Sequence, residues 1–200
     1  MKGLLLKDWY LTVKYLRIYL IGIALFLATS VFNPQNSFFM AYPCVMVAMM
    51  PVTLYSYDDR EKWTVYAQAF PVSRAQYVTE KYLYGAICTA LYLALQAVLY
   101  LAFDREGLGD AVTVAISLGL LASAIMLPIL FRFGAEKGRI AYLVFAGAVF
   151  GGVGIAYVAD RPTSRFDAFP VPNWALCVFP LALYVLSWRL SIALYKKREL

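Results

Sequence analysis

Six stretches of this 200-residue chain are nearly free of charge: Tyr15–Phe32, Phe38–Tyr55, Tyr82–Phe103, Ala111–Phe131, Ile140–Ala159 and Trp174–Leu194. A helix needs ~20 mostly apolar residues to cross the hydrocarbon core of a bilayer, and each stretch meets or approaches that length. The first two are the shortest and lean on flanking Tyr and Phe, side chains suited to the membrane–water interface. A β-barrel would require ~10-residue segments of alternating polarity, and runs such as Leu118–Leu130 do not alternate. The composition, 62% hydrophobic and 15% charged, departs from that of a soluble domain in the same direction. The reading is an all-α integral membrane protein: six transmembrane helices in a single domain over residues 1–200.

Sidedness follows from Lys and Arg, which favour the cytoplasmic face. One set of segments holds Lys2, Lys7, Lys14 and Arg17; Arg60, Lys62, Arg74 and Lys81; Arg132, Lys137 and Arg139; and Arg189, Lys196, Lys197 and Arg198. The opposite set holds Arg105, Arg161 and Arg165 alone. Both termini are therefore expected in the cytoplasm, and the net charge of +6 is a topology signal. Nucleic acid is not an expected partner, because no basic cluster is interleaved with exposed aromatics on a soluble module.

Residues 2–17 read as an amphipathic interfacial helix ahead of the first crossing. Leu5, Trp9, Val13 and Leu16 recur at helical spacing, while Lys7, Lys14 and Arg17 line another face with Tyr10. Membrane lipid is the expected partner of such a helix, with its bases near anionic headgroups; a plain cytosolic lead-in is the alternative. Pro43, Pro51, Pro128 and Pro180 fall inside expected crossings, where each removes a backbone hydrogen bond and favours a kink. They read either as hinges or as ordinary membrane-helix prolines, the second being slightly preferred. Gly147 and Gly151 make a GxxxG pair for tight helix packing. Cys44, Cys88 and Cys177 are single and far apart, which fits neither a disulfide framework nor a metal motif.

Absences narrow the function. The chain has no His, which removes His-dependent catalysis and His metal sites. It has no GxxxxGK[ST] sequence, so it cannot hydrolyse ATP by the Walker route. The central parts of the six stretches lack Asp, Glu, Lys and Arg, which disfavours a charged proton relay. Nothing resembles a selectivity filter or charged ring. Met40, Met46, Met49 and Met50, with Tyr82, Tyr84, Tyr92 and Tyr100, could line an adaptable path for amphipathic cargo, although plain packing accounts for any one of them.

The substantial charged segment between apolar stretches is residues 57–81, YDDREKWTVYAQAFPVSRAQYVTEK. It reads as two short helical pieces. Asp58, Asp59, Arg60, Glu61 and Lys62 place acids at an expected helix start. Trp63, Tyr66 and Phe70 then share a face, and Pro71 breaks the run. Ser73 caps the next helix with Gln76 as its capping-box partner, and that helix continues through Tyr77, Glu80 and Lys81 into the third crossing. Such a segment would project as a firm elbow fit to transmit a push.

At these residues the chain resembles a family. YDDREKW…FPVSRAQYVTEKYL is similar to the first cytoplasmic loop of the small six-helix permeases of type-2 ABC exporters. That loop typically reads acidic-x-x-x-(K)W, then LP-[VI]-SR-x-x-[IVY]-V-x-x-K-Y. The opening MKGLLLKDWY resembles the same family's start, and the closest sub-group is similar to phenol-soluble modulin and related peptide exporters. Phe70 stands where Leu is commoner.

The resemblance implies a half-transporter of a bacterial cell membrane. Two permeases, identical or related, would pair, and each would dock a cytosolic ABC ATPase. No cofactor is expected in this chain; ATP and Mg would belong to the ATPase. The 57–81 loop would enter the ATPase as a coupling helix, with Asp58 to Trp63, Phe70 and Pro71-Val72-Ser73-Arg74 as contact candidates. Arg74 and Glu61 would make charge-paired contacts, and Trp63 would be a packed anchor. The expected cargo is an amphipathic or hydrophobic peptide. A non-transporting interaction or immunity subunit and a secondary transporter are the alternatives.

Overall fold

The computed structural model describes residues 2–32, 38–66, 73–102, 108–134 and 173–196, with 140, 143, 144, 147, 148 and 151 besides. Among them the chain is helical: α1 (Lys2–Tyr15), α2 (Arg17–Phe32), α3 (Phe38–Ala48), α4 (Met50–Arg60), α5 (Trp63–Tyr66), α6 (Arg74–Ala102), α7 (Leu108–Phe133) and α8 (Asn173–Lys196). Helices occupy five of the six expected crossings. The remaining one, Ile140–Ala159, lies mostly outside the described residues.

The segments Arg74–Leu99, Ile116–Phe133 and Cys177–Lys196 are each long and apolar enough to span a bilayer. Helices α1 and α2 qualify as a fourth span when taken together, across a bend of 74°. That bend falls at Leu16, whose N–H still donates to the Thr12 carbonyl while its own carbonyl accepts from Leu20. Helix α2 alone has 16 residues, about 24 Å at 1.5 Å per residue.

The second crossing is not one continuous rod. It is split at Met49 into α3 and α4, of 11 residues each. Pro51 lies in the first turn of α4, and its missing N–H and ring favour a break just ahead of it. Pro43, Pro128 and Pro180 all sit inside helices that continue. Of the four, Pro51 alone coincides with a break among the described residues.

Helix α7 lies along α8 on one side and α3 on the other. The largest core joins α4, α6, α7 and α8 through Tyr55, Tyr77, Tyr82, Leu127, Phe131 and Tyr195. A second joins α2, α3, α4 and α6 through Ile23, Val47, Leu54 and Tyr84. Lipid tails are as apolar as Leu, so close packing and interhelical hydrogen bonds carry more of helix association here than in water. Tyr82 accordingly shares 2.7 Å hydrogen bonds with Ser187 and Ser191 on α8. The Tyr184 hydroxyl donates to the Tyr82 carbonyl, the Ser187 hydroxyl to the Ala124 carbonyl and the Trp188 indole to Thr79. These bonds sew α6, α7 and α8 together.

Close approach of α3 and α7 depends on Gly119, where a Cβ would come within 2.6 Å of the Cys44 Sγ. We therefore expect Gly119→Ala to lower the unfolding midpoint in detergent, and Cys44→Ala in the same chain to restore most of it. A double-mutant cycle of thermal unfolding measures the coupling.

Candidate functional site: a buried ionic junction beneath the 57–81 loop

Helix α1 turns a polar side toward the protein. Its inward residues are Leu4, Asp8 and Thr12, spaced i, i+4, i+8 along one side. Trp9 and Val13, expected on the lipid-facing stripe, are exposed together with Leu6 and Tyr10, whereas Lys7, expected near lipid headgroups, pairs with Asp58. Of the expected stripe, Leu16 is buried at the bend and Leu5 packs partly against the α2–α6 core. The reason is the solvent: next to lipid, apolar side chains gain little by facing protein, whereas an acid and a hydroxyl must find polar partners.

Those partners come from the helices flanking the loop. Lys81, near the start of α6 and 0% exposed, places its Nζ 2.5 Å from Asp8 Oδ2 and 2.9 Å from Asp58 Oδ2. Lys7 donates to Asp58 Oδ1 at 2.6 Å and lies 3.2 Å from Asp8. The Tyr77 hydroxyl donates to Asp58 Oδ2 at 2.9 Å. Glu80 completes the group 3.6 Å from Lys81. It is 1% exposed, and neither of its carboxylate oxygens accepts a hydrogen bond among the described residues. Three acids and two bases thus share a site at the rim of the bundle, buried except at Lys7, which is partly exposed. Further ties bind the same elements: the Lys7 ammonium lies 4.8 Å over the Trp63 ring, Tyr15 stacks on Tyr57, and Thr12 shares a 2.6 Å hydrogen bond with Tyr84.

This junction changes the reading of the loop's first half. Asp58, Asp59 and Arg60 do not begin a helix; they end α4. Acids at a helix C-terminus oppose the macrodipole, and the two ammonium groups around Asp58 offset that. Asp58 points inward, where a docking protein cannot reach it. Trp63 is also turned to the protein, packed beside the α4–α6–α7–α8 core and under Lys7. Tyr66, expected on the same face, is exposed. Arg60, Glu61 and Lys62 are exposed.

Glu61 closes the last turn of α4, and Lys62 follows with φ 53°, a left-handed conformation that glycine adopts without a Cβ clash. The second half follows the expected pattern closely. The Gln76 N–H donates to Ser73 Oγ, and the Ser73 N–H donates to Gln76 Oε1, at 3.2 and 2.9 Å. That is the capping box. Arg74 is exposed and donates to the Lys196 carbonyl at the end of α8, at 3.3 Å. Phe70, Pro71 and Val72 lie outside the described residues.

Asp8, Glu80 and Lys81 were not singled out by sequence reasoning, and one signal pointed to the first of them. Asp8 is the sole acid in the first 57 residues, one turn from Leu4 and one from Thr12. Among the described residues no cluster of His, Cys, Asp or Glu could hold a metal ion. Gly147 and Gly151 face open space among the described residues, since a Cβ added to either meets nothing within 4 Å.

Two outcomes are expected. Replacing Lys81 with Ala leaves buried acids without their shared cation and lowers stability by about 3–5 kcal/mol, read as denaturant-induced loss of helix circular dichroism in mixed micelles. Lys62→Gly relieves the left-handed strain and raises stability by roughly 1 kcal/mol, whereas Lys62→Val lowers it in the same assay.

Comparison with curated proteins and with solved structures gave no match. The model of a family described as "ABC-2 family transporter protein" matches residues 3–196, nearly the whole chain. By that match the chain belongs to the ABC-2 transporter family, as a multi-pass membrane component of an ABC transporter.

Proposed function

We propose that this chain is the permease half of an ATP-driven exporter, energised by a cytosolic ATPase that docks on the loop between α4 and α6. Membership of the family makes the chain a membrane component, and its sequence holds no nucleotide-binding loop of the Walker type. ATP and Mg are therefore bound by the partner. The observation that carries the docking assignment is the division of the loop into two sides. One side is fastened to the bundle through Asp58 and Trp63, and the other presents Arg60, Glu61 and Lys62 outward. A surface that must take a push needs both: charges to grip and a rigid base behind them. The capping box at Ser73 stiffens the return into α6.

Cargo and stoichiometry extend the same reading. Charge-free helix centres suit an amphipathic or hydrophobic peptide, taken up from the cytoplasmic side of a bacterial cell membrane. Gly147 and Gly151, open among the described residues, favour a second permease packed on that face.

Reversing the exposed charges (Arg60→Glu with Lys62→Glu) should cut co-purification of the ATPase at least tenfold, while the helix content of the permease is retained. Unchanged association would remove the loop from the docking surface. These positions are better probes than Trp63, whose loss disturbs the permease itself.

A further inference from the structure

We infer that Lys81 is the positioning residue through which movement of the loop reaches the first crossing, with α1 as the arm that carries it. The inference rests on the permease reading above and deepens it. Only α4 and α6 adjoin the loop in sequence, so a push on the loop would by connectivity act on the second and third crossings alone. The junction adds α1. Asp8 on α1 and Asp58 at the end of α4 meet on the same ammonium of α6, at 2.5 and 2.9 Å. Lys7 ties α1 to Asp58 and to the Trp63 ring of α5. Each helix edge bordering the loop is thus fastened to α1.

Helix α1 is free to move in another respect. Its outward side carries Leu6, Trp9, Tyr10 and Val13, all exposed among the described residues, so that side contributes little packing against the described helices. Its end is joined to α2 through the 74° bend at Leu16, the geometry of a crank. A displacement along α1 becomes a tilt of the first crossing.

Glu80 makes the connection reversible. Separating a buried ammonium from its carboxylate is costly when nothing replaces it. Here, as Asp8 withdraws, Lys81 retains Asp58 and has Glu80, also buried, 3.6 Å away. The ammonium exchanges one acid for another and is never left alone. Tyr77, which also donates to Asp58, joins α6 to α4 and does not hold α1, whereas Thr12 with Tyr84 is a second, uncharged tie between α1 and α6.

The test places spin labels at Tyr10 and Leu186, both exposed, in a Cys177→Ser background, and measures their separation in the permease–ATPase complex with and without a non-hydrolysable ATP analogue. In the parent chain we expect a shift of about 2 Å or more, the scale of helix displacements in switching proteins. In Asp8→Asn, at equal occupancy by the ATPase, the shift should fall by at least half. The conservative Asp8→Glu, which keeps a carboxylate for Lys81 and leaves its contact with Asp58 intact, should restore it. A full shift in Asp8→Asn, or no shift in the parent chain with ATPase bound, overturns the inference. Failure of the parent chain to bind any ATPase overturns the permease reading instead. The free permease then decides the tie separately: the distance distribution broadens in Asp8→Asn if Asp8 holds α1, and stays as narrow if it does not.

Discussion

The ion pairing of Lys81 with Asp8 and Asp58 determines how the end of this bundle beside the 57–81 loop can be arranged. A buried ammonium and a buried carboxylate are tolerable only together, so α1, α4 and α6 must converge wherever Lys81 is placed. From that convergence come the inward polar face of α1, the inward turn of Asp58 and the seat of Trp63 beneath Lys7. Elsewhere the helices are held by close packing, as at Gly119 and Cys44, and by hydrogen bonds such as those of Tyr82. Each such bond contributes modestly, of order 0.6 kcal/mol on average in a membrane. The junction differs in kind: satisfied it fixes three helices, and half-satisfied it is a liability.

What was legible in the sequence was local. Apolar stretches declare themselves because nothing but a bilayer or a core will accept them, and helices stand at five of the six expected places. The capping box at Ser73 and Gln76 was legible for a similar reason, since its partners are three residues apart. The junction was not, because Lys7 and Asp58 are 51 residues apart and Asp8 and Lys81 are 73 apart. A charged residue next to a loop also reads by default as solvated. The same default made the acids at 58 and 59 resemble a helix start, when neighbouring cations let them sit at a helix end.

The apolar stripe of α1 was legible as a lipid-facing side, but the protein partners of its polar side, Lys7, Asp8 and Thr12, were not. Amphipathic periodicity shows that two sides of a helix differ; it does not say which side meets protein. In water the apolar side would turn in. At a membrane surface Trp9 and Val13 turn out and Asp8 and Thr12 turn in.

The separation of Asp8 from Lys81 along the chain also bears on biogenesis. Helix α1 leaves the ribosome before α6, so its carboxylate has no base to meet there until Lys81 has been synthesised, 73 residues later. Until then the polar side of α1 lacks the partner that seats it. A segment made earlier is, in its tertiary contacts, completed after segments made later.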